Sequence, residues 1–545
     1  MWPYPSSRAM SVRALLSTAL IGSSAVFAPG IATAKQSAAA STFVDSGTMT
    51  VVADATAVDL DPASDENYGS DNIARNIDDE LVANDHASIS KFFPKLAVSW
   101  SSNPDQSVWT FHLRHGVKFH TGRCCLTATD VQYSISRTIQ ANLSASYLFS
   151  RFISNPTKQI TVVDPYTVQF SFSRGTPLLL NALAGEFTAL ILDSQALKAH
   201  ATKSDPWAHS WATTHDLGTG PYTIQSWEHG QQTVLVRFPE YWGGWSGRHF
   251  SKIIVNTVPE SATRRELVEK GKSDITYNLT PQDNMALSHN SSVVVSPNYS
   301  TEIDYFVMTE SGPLASPFAR QAVSYAFNYD ALINGFYHGF ARRSYGPIPS
   351  SLLGFDPHAF HYHTDLNKAR ELFQKAGVKP GTTLTFTYND PFQPVGLILQ
   401  AQLAQLGITV KLQHLDNAAF FNIFFGSSAP SSRPNMMPYP WWPDYNDPYD
   451  MAVTLVGSQY AGAAGANAGY YHNKQVDTLL AAMKNESGES LVRDAHALQD
   501  ITSRVDPPAV YLAEPAQVNV MAKSLKGFVY NPLQIRTFYY YWFYR

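Results

Sequence analysis

The chain has 545 residues, enough for about three or four folding units. It carries 39 Lys plus Arg against 44 Asp plus Glu, a formal charge of −5, so it lacks the cationic surplus that a phosphate-binding surface needs, and nucleic acid is excluded as an expected partner. An apolar share of 44% with 13% aromatics excludes a disordered tail protein and leaves a globular chain whose aromatic surfaces are available to a ligand.

Residues 1–34 read as an export signal. Arg8 and Arg13 supply a positive start, Ala14 to Ala28 an apolar run, Pro29 and Gly30 a break, and Ala32-Thr33-Ala34 a small-x-small cleavage site. The run is short and carries Ser and Thr, which argues against an anchor spanning about 30 Å of hydrocarbon. No Cys follows it, so no lipid anchor is expected. The best later membrane candidate, Leu178 to Leu192, contains Gly185 and Glu186, so the mature protein is expected to be exported, soluble and periplasmic.

In chain order, Gln36 to Ser46 is small and polar and reads as a flexible leader, and Met49 to Ala53 as a first strand. Trp100 to Gln106 reads as a polar turn. Trp109, Phe111 and Leu113 alternate with polar partners, a strand that turns at Gly116. Cys124 and Cys125 are adjacent, so they cannot staple distant segments. With His112, His115 and His120 they match no standard zinc spacing. They read as surface histidines beside a small buried thiol pair, with a vicinal disulfide as the alternative. Val131 to Thr138 begins a helix capped by Thr127 or Thr129. Tyr166 to Phe172 and Thr233 to Phe238 alternate as strands.

Phe318 to Phe336 repeats apolar residues at helical spacing. So does Leu366 to Ala376, stopped by Gly377, and Val395 to Leu406, stopped by Gly407. Ile408, Val410 and Leu412 then alternate as a strand. Helix, glycine stop and strand in succession predict an α/β layer. Tyr460 to Gly469 is rich in Gly and Ala and reads as a mobile loop.

Enzyme signatures are absent from the sequence. It has no G-x-S-x-G, no H-E-x-x-H and no C-x-x-C. Gly271-Lys272-Ser273 resembles the end of a phosphate loop, but Glu266 stands where its first glycine belongs. Gly218-Thr219-Gly220-Pro221 is not a dinucleotide fingerprint, because Pro221 has no N–H to offer a phosphate. A long exported chain with no nucleophile or metal cluster points to binding, with no catalytic residue, metal or cofactor expected.

Several strings, in order, resemble the dipeptide/oligopeptide-binding family of ABC-importer solute-binding proteins. They include Leu60-Asp61-Pro62, Pro94 to Trp100, Trp109 to His120, Leu126 to Val131 and Gly218 to Tyr222. Trp227 to Gly230, Pro239 to Gly244, Gly271 to Ile275, Phe318 to Val323 and Trp441 to Pro448 follow. Together they cover about 48–530. The resemblance implies a type II periplasmic-binding-protein fold, with two lobes, a hinge and an extra α/β domain. By analogy, lobe one is 45–88, 213–312 and 519–545, the extra domain 89–212 and lobe two 313–518. The resemblance also implies a monomer that traps a solute between its lobes and docks on a permease in the inner membrane. Departures occur at Ile77 to Val82, where many relatives carry Tyr-Glu-Gly-Leu-Val, and at Thr121.

A peptide solute presents an ammonium that needs a fixed carboxylate in a dry cleft. Asp444, beside Trp441 and Trp442, is the candidate, and family relatives hold the peptide amine with the Asp three residues after the matching Trp. The alternative is that Asp444-Tyr-Asn-Asp447-Pro448 is a structural turn, which suits Asp447 better. Tyr511 matches a family tyrosine that lines the cleft, or else is a core strand residue. Arg433 reads as a loop charge, Tyr222 and Trp227 as framework, and Phe538 to Phe543 as a final strand of lobe one. A peptide is the expected solute. An oligosaccharide, an opine-like compound or a chelated metal is the alternative, and a secreted hydrolase the more distant one.

Overall fold

The computed structural model describes residues 43–544 except 65–67, 86–87, 151, 177, 186–188, 445, 463–464, 485, 487 and 534–537. The export signal and most of the leader therefore lie outside the described residues. The part of the leader that is described is not loose. Phe43–Asp45 pairs in parallel with Gly247–His249, and the Phe43 ring meets the edge of Trp245 at 6.3 Å.

Among the described residues a twelve-stranded sheet runs through two halves of the molecule. In the first half, Thr48–Ala53 lies parallel to Lys252–Thr257, and Gln232–Arg237 and Tyr222–Glu228 extend the sheet antiparallel. Met49, Val51, Tyr222, Leu235, Ile253 and Val255 form its core. Tyr539 and Trp542 of the C-terminal aromatic run close that core. The run is not one strand, as expected from its sequence. Tyr539–Tyr541 is a single 3-10 turn, and Phe543–Tyr544 pairs with Leu525–Lys526.

Two strands carry the sheet into the second half. Val293–Tyr299 is followed within three residues by Ile303–Met308. The fourteen-residue strand Ala509–Ala522 pairs with the first of these through Ala516–Ala522 and with the second through Ala509–Ala513. Ile303–Met308 is buried on both faces, as a central strand must be. Tyr305 and Val307 enter one apolar cluster, Phe306 and Met308 another. Parallel strands Thr383–Tyr388 and Thr409–His414 follow helices Leu366–Lys375 and Gln393–Ala404, so the predicted helix–glycine–strand order is what forms. Gly377 and Gly407 both adopt φ of 74°, the left-handed stop that glycine takes without penalty.

The helix read over Phe318 to Phe336 divides. Pro317–Ala326 is α-helical, Phe327 is extended, and Ala331–Phe336 forms a short π-helical segment. Local polar contacts win over apolar period here, since Asn328 Oδ1 accepts from Ala331 N at 2.9 Å and Thr364 Oγ1 donates to Phe327 O at 2.9 Å. The stretch Tyr460 to Gly469 also departs from its reading as a mobile loop. Ala466, Asn467 and Ala468 are buried, and Asn467 Nδ2 donates to Gly457 O and Tyr471 O. Its small residues serve close packing: a Cβ on Gly469 would lie 2.8 Å from Met308 O.

The inserted segment builds an antiparallel sheet in the order Ala97–Ser102, Val108–Leu113, Thr167–Ser171, Ile160–Asp164, with helix Ala128–Ala141 in its core. The predicted polar turn over Trp100 to Gln106 starts later, because the strand continues to Ser102. Thr127 caps the helix, and its N–H donates to Asp130 Oδ2 at 2.9 Å. Cys124 and Cys125 form a disulfide between neighbours, and Cys124 is exposed, in place of the expected buried thiol pair. His120 is not a surface histidine either. Its side chain is buried, with Nδ1 2.6 Å from Asp216 Oδ1 and Nε2 2.9 Å from Gly220 O. Gly218 and Gly220 are there for space, since a Cβ on either would overlap Ile77 backbone atoms at 2.1 and 2.5 Å.

Candidate functional site

Trp441 ends the strand Met436–Trp441 at the crossing between the halves, opposite Ile303, the first residue of the strand entering the second half. Upstream on the same face, Tyr439 pairs across to Tyr305, and Tyr305 pairs to Tyr511. The three phenols form a row inside the second-half core. Trp441 packs on that core while staying partly exposed, and its Nε1 is buried with no partner among the described residues.

The chain then passes into an acidic segment. The Asp444 N–H donates to Asp450 Oδ2 at 2.7 Å. Asp447 caps helix Pro448–Val456, accepting from Tyr449 N at 2.8 Å and Asp450 N at 3.4 Å. Asp447 is therefore a turn former, as its sequence context suggested. Burial, reinforced by the Asp450 charge, raises its carboxyl to about 7. The Asp444 side chain is only half-buried, while Asp447 and Asp450 are buried behind it. The segment thus places three carboxyls within seven residues.

The opposite wall comes from the strand Ser88–Pro94. Ile89, 9% exposed, is packed among the second-half apolar residues, and Asn446 Nδ2 donates to Ile89 O at 3.1 Å. Fully burying a side chain of this size contributes about 1.5–3 kcal/mol, so this peg is a substantial contact between the second half and the strand that leads into the inserted segment. Asn446 Oδ1 is buried and has no partner among the described residues.

The floor between the walls is the pair of crossing strands. Glu302 Oε2 accepts from Gln517 Nε2 at 3.0 Å, and Asp304 accepts the Tyr337 hydroxyl. Burial pushes both carboxyls up, Glu302 to about 8 and Asp304 to about 7, and the Asp304 charge adds to the rise at Glu302. Glu514 accepts from Arg342 Nε at 2.6 Å and from Ser350 N at 2.9 Å, while the Arg342 guanidinium lies 4.2 Å from the Tyr299 ring. These contacts tie the crossings together.

Of the expected site residues, Trp441 and Asp444 thus stand together at the crossing. Tyr511 stands behind them, 7% exposed and inside the tyrosine row. Arg433 belongs elsewhere. It lies at the far end of the strand from Trp441, and its guanidinium donates to Phe424 O at 2.8 Å and Gly426 O at 3.1 Å. Tyr222 is fully buried, with its hydroxyl on Phe250 O at 3.0 Å. Asn446 was missed, although its carboxamide inside an acidic turn was a signal in plain view. Ile89 gives no sequence signal, because its role depends on a fold-level contact. Among the described residues, no group of three His, Cys, Asp or Glu is placed to hold a metal, and no helix is long and apolar enough to cross a membrane.

The profile of the bacterial extracellular solute-binding proteins, family 5, matches residues 91–463. The chain is 33% identical over 457 residues to the probable D,D-dipeptide-binding periplasmic protein DdpA of Escherichia coli K12, covering 81% of this chain and 83% of that one. It is 28% identical over 448 residues to the glutathione-binding protein GsiB of Salmonella choleraesuis, covering 80% and 83%. Among solved structures, the periplasmic binding protein DppA of Helicobacter pylori, in complex with the peptide STSA, superposes with a TM-score of 0.75 at 25% identity over 91% of this chain and 98% of that one. The two-half sheet, the paired crossings and the inserted domain are thus those of a periplasmic-binding-protein fold, in a family of binding proteins rather than enzymes. The chain belongs to the family 5 bacterial extracellular solute-binding proteins.

Proposed function

We propose that the protein captures short peptides between its two lobes in the periplasm and delivers them intact to an ABC permease in the inner membrane. The observation that carries this reading is the acidic rim. Asp444 stands beside Trp441 at the crossing, its N–H held by Asp450 Oδ2, with Asp447 and Asp450 buried behind it. A peptide's free ammonium is a cation that such carboxylates attract, and Trp441 gives it an aromatic neighbour that keeps water out. The names of the relatives, for D,D-dipeptides and glutathione, support a peptide over a sugar.

In this reading Asp444 binds the amine and Trp441 packs on the solute. Tyr511 acts from behind by fixing the row on which Trp441 rests. Lobe one comprises 45–88, 213–312 and 519–545, the extra domain 89–212 and lobe two 313–518, with the crossing strands as hinge. Closing is a population shift: the solute binds the closed form better and so raises its share. No step of chemistry on the solute is required.

The test is a thermal-shift screen of the mature protein with di-, tri- and oligopeptides beside a sugar panel. Peptides at a hundred times their Kd stabilise the fold by about 2.7 kcal/mol and raise its melting temperature. Shifts by sugars alone would refute the peptide reading.

A further inference from the structure

We propose that Asn446 couples solute capture to lobe closure, its side-chain oxygen accepting a backbone amide N–H of the bound peptide while its side-chain nitrogen holds Ile89 on the opposite wall. The inference rests on the peptide-binding reading above and adds the residue through which loading is transmitted.

Three observations carry it. First, Asn446 Nδ2 donates to Ile89 O at 3.1 Å, a contact that joins residues 357 apart and ties the second half to the strand that leads into the inserted segment. That bond fixes the orientation of the carboxamide, because the flipped form would set two oxygens against each other. Second, the other end of the same group, Oδ1, is buried with no partner among the described residues. A buried acceptor left unsatisfied is expensive, so a donor belongs there. Third, Asn446 sits two residues beyond Asp444, and Trp441 Nε1 is a buried donor likewise without a partner among the described residues. One orphaned donor and one orphaned acceptor flank the carboxylate assigned to the amine. They are the complement of a peptide group, which offers one C=O and one N–H.

Mechanically, one planar group then serves two masters. With solute absent, the Asn446 oxygen pays its desolvation unrewarded whenever the walls meet, which disfavours the closed form. With a peptide N–H in place, both ends of the carboxamide are satisfied only when Ile89 is docked. Ile89 supplies the apolar peg and Asn446 the polar link, so closure reports that an amide is present.

The test uses the full mature chain with di-, tri- and tetra-alanine and with the same peptides N-methylated at successive amide nitrogens. Affinity is read by calorimetry and closure by the change in radius of gyration in solution scattering. On the wild type, methylation of one particular amide weakens binding about tenfold. Asn446→Ala weakens the parent peptide by a similar factor and loses most of the compaction. The methyl group then has no further effect on the variant, because both changes remove one contact. Asn446→Asp keeps an acceptor but sets it against Ile89 O, so it still discriminates against the methylated peptide while failing to compact. Independent, additive losses would overturn the proposal, as would an Asn446→Ala protein that binds and compacts like the wild type. Should Asn446→Ala fail to fold, the wild-type response to N-methylation and the Asn446→Asp protein decide. If methylation at every amide is tolerated, the proposal falls. If no alanine peptide binds the wild type, the peptide reading falls and takes this inference with it. Tight peptide binding with an indifferent Asn446 removes the inference alone.

Discussion

Two buried aspartates, Asp61 and Asp444's neighbour Asp447, occupy opposite kinds of polar site. Asp61 is closed on every side. Arg137 grips it with two bonds of 2.6 and 2.5 Å, His209 Nδ1 lies at 2.8 Å, and Ala63 N donates at 3.0 Å. Burial pushes the Asp61 carboxyl up, but Arg137 and His209 outweigh it and hold it below its usual range. Asp447 has two backbone donors, a second acid beside it and a carboxyl raised to about 7. A framework site satisfies its charges from within the chain. The rim at 441–450 instead holds an indole N–H and a carboxamide oxygen that are buried with no partner among the described residues. In the proposed reading, that asymmetry marks the rim as the side that meets the solute.

The largest effect is expected on the closed side of this comparison. Arg137→Met strands the fully buried Asp61 charge, and unfolding by denaturant is expected to show a loss of about 3–5 kcal/mol. A loss below about 1 kcal/mol would mean that Asp61 simply takes up a proton and that the two sites differ less than claimed. On the open side, Asp444→Asn is expected to weaken peptide binding by about 1.5–3 kcal/mol in calorimetry, while the melting temperature without peptide stays near that of the wild type. Destabilisation of the unliganded protein would instead make Asp444 a turn residue.

The smallest effect is in pH. His120, raised by its Asp216 partner against the opposing effect of burial, supplies stability that is complete below its ordinary value and is lost as pH rises through the raised one. Asp447, Glu302 and Asp304 also hold protons more tightly folded than unfolded, so their ionisation removes stability over the same rise. Asp61 and Asp216 are lowered and act only in acid, where their contribution is lost as pH falls below the usual carboxylate range. Scanning calorimetry should therefore give a melting temperature about 1–2 °C higher at about pH 5.5 than at about pH 8.5. The opposite slope would show that the open-side carboxyls are ionised in the fold.

Much of the scaffold was legible in the sequence where one local rule acted alone. A threonine cap, Thr127 or Thr129, announces a helix start, and Gly377 and Gly407 mark helix ends because only glycine adopts their backbone angle freely. Reading failed where two forces compete. Between Phe318 and Phe336, the Asn328 carboxamide overrides an apolar period. At Tyr460 to Gly469, small residues that look like a loop let chains pack closely. His120 looked like one of three surface histidines because Asp216, its partner, is 96 residues away. Within the site, Trp441 and Asp444 stood in a recognisable string. Asn446 lay in the same string but takes its meaning from Ile89, 357 positions earlier, a separation no local pattern encodes.

In the proposed function, two halves joined by the chain crossings at 300–303 and 513–516 close on a peptide. Solution scattering of the mature protein, alone and saturated with a peptide selected in the thermal screen, tests it most directly. The account predicts a smaller radius of gyration on loading, reversed when the peptide is removed unchanged. An identical scattering curve with and without tightly bound peptide would contradict it.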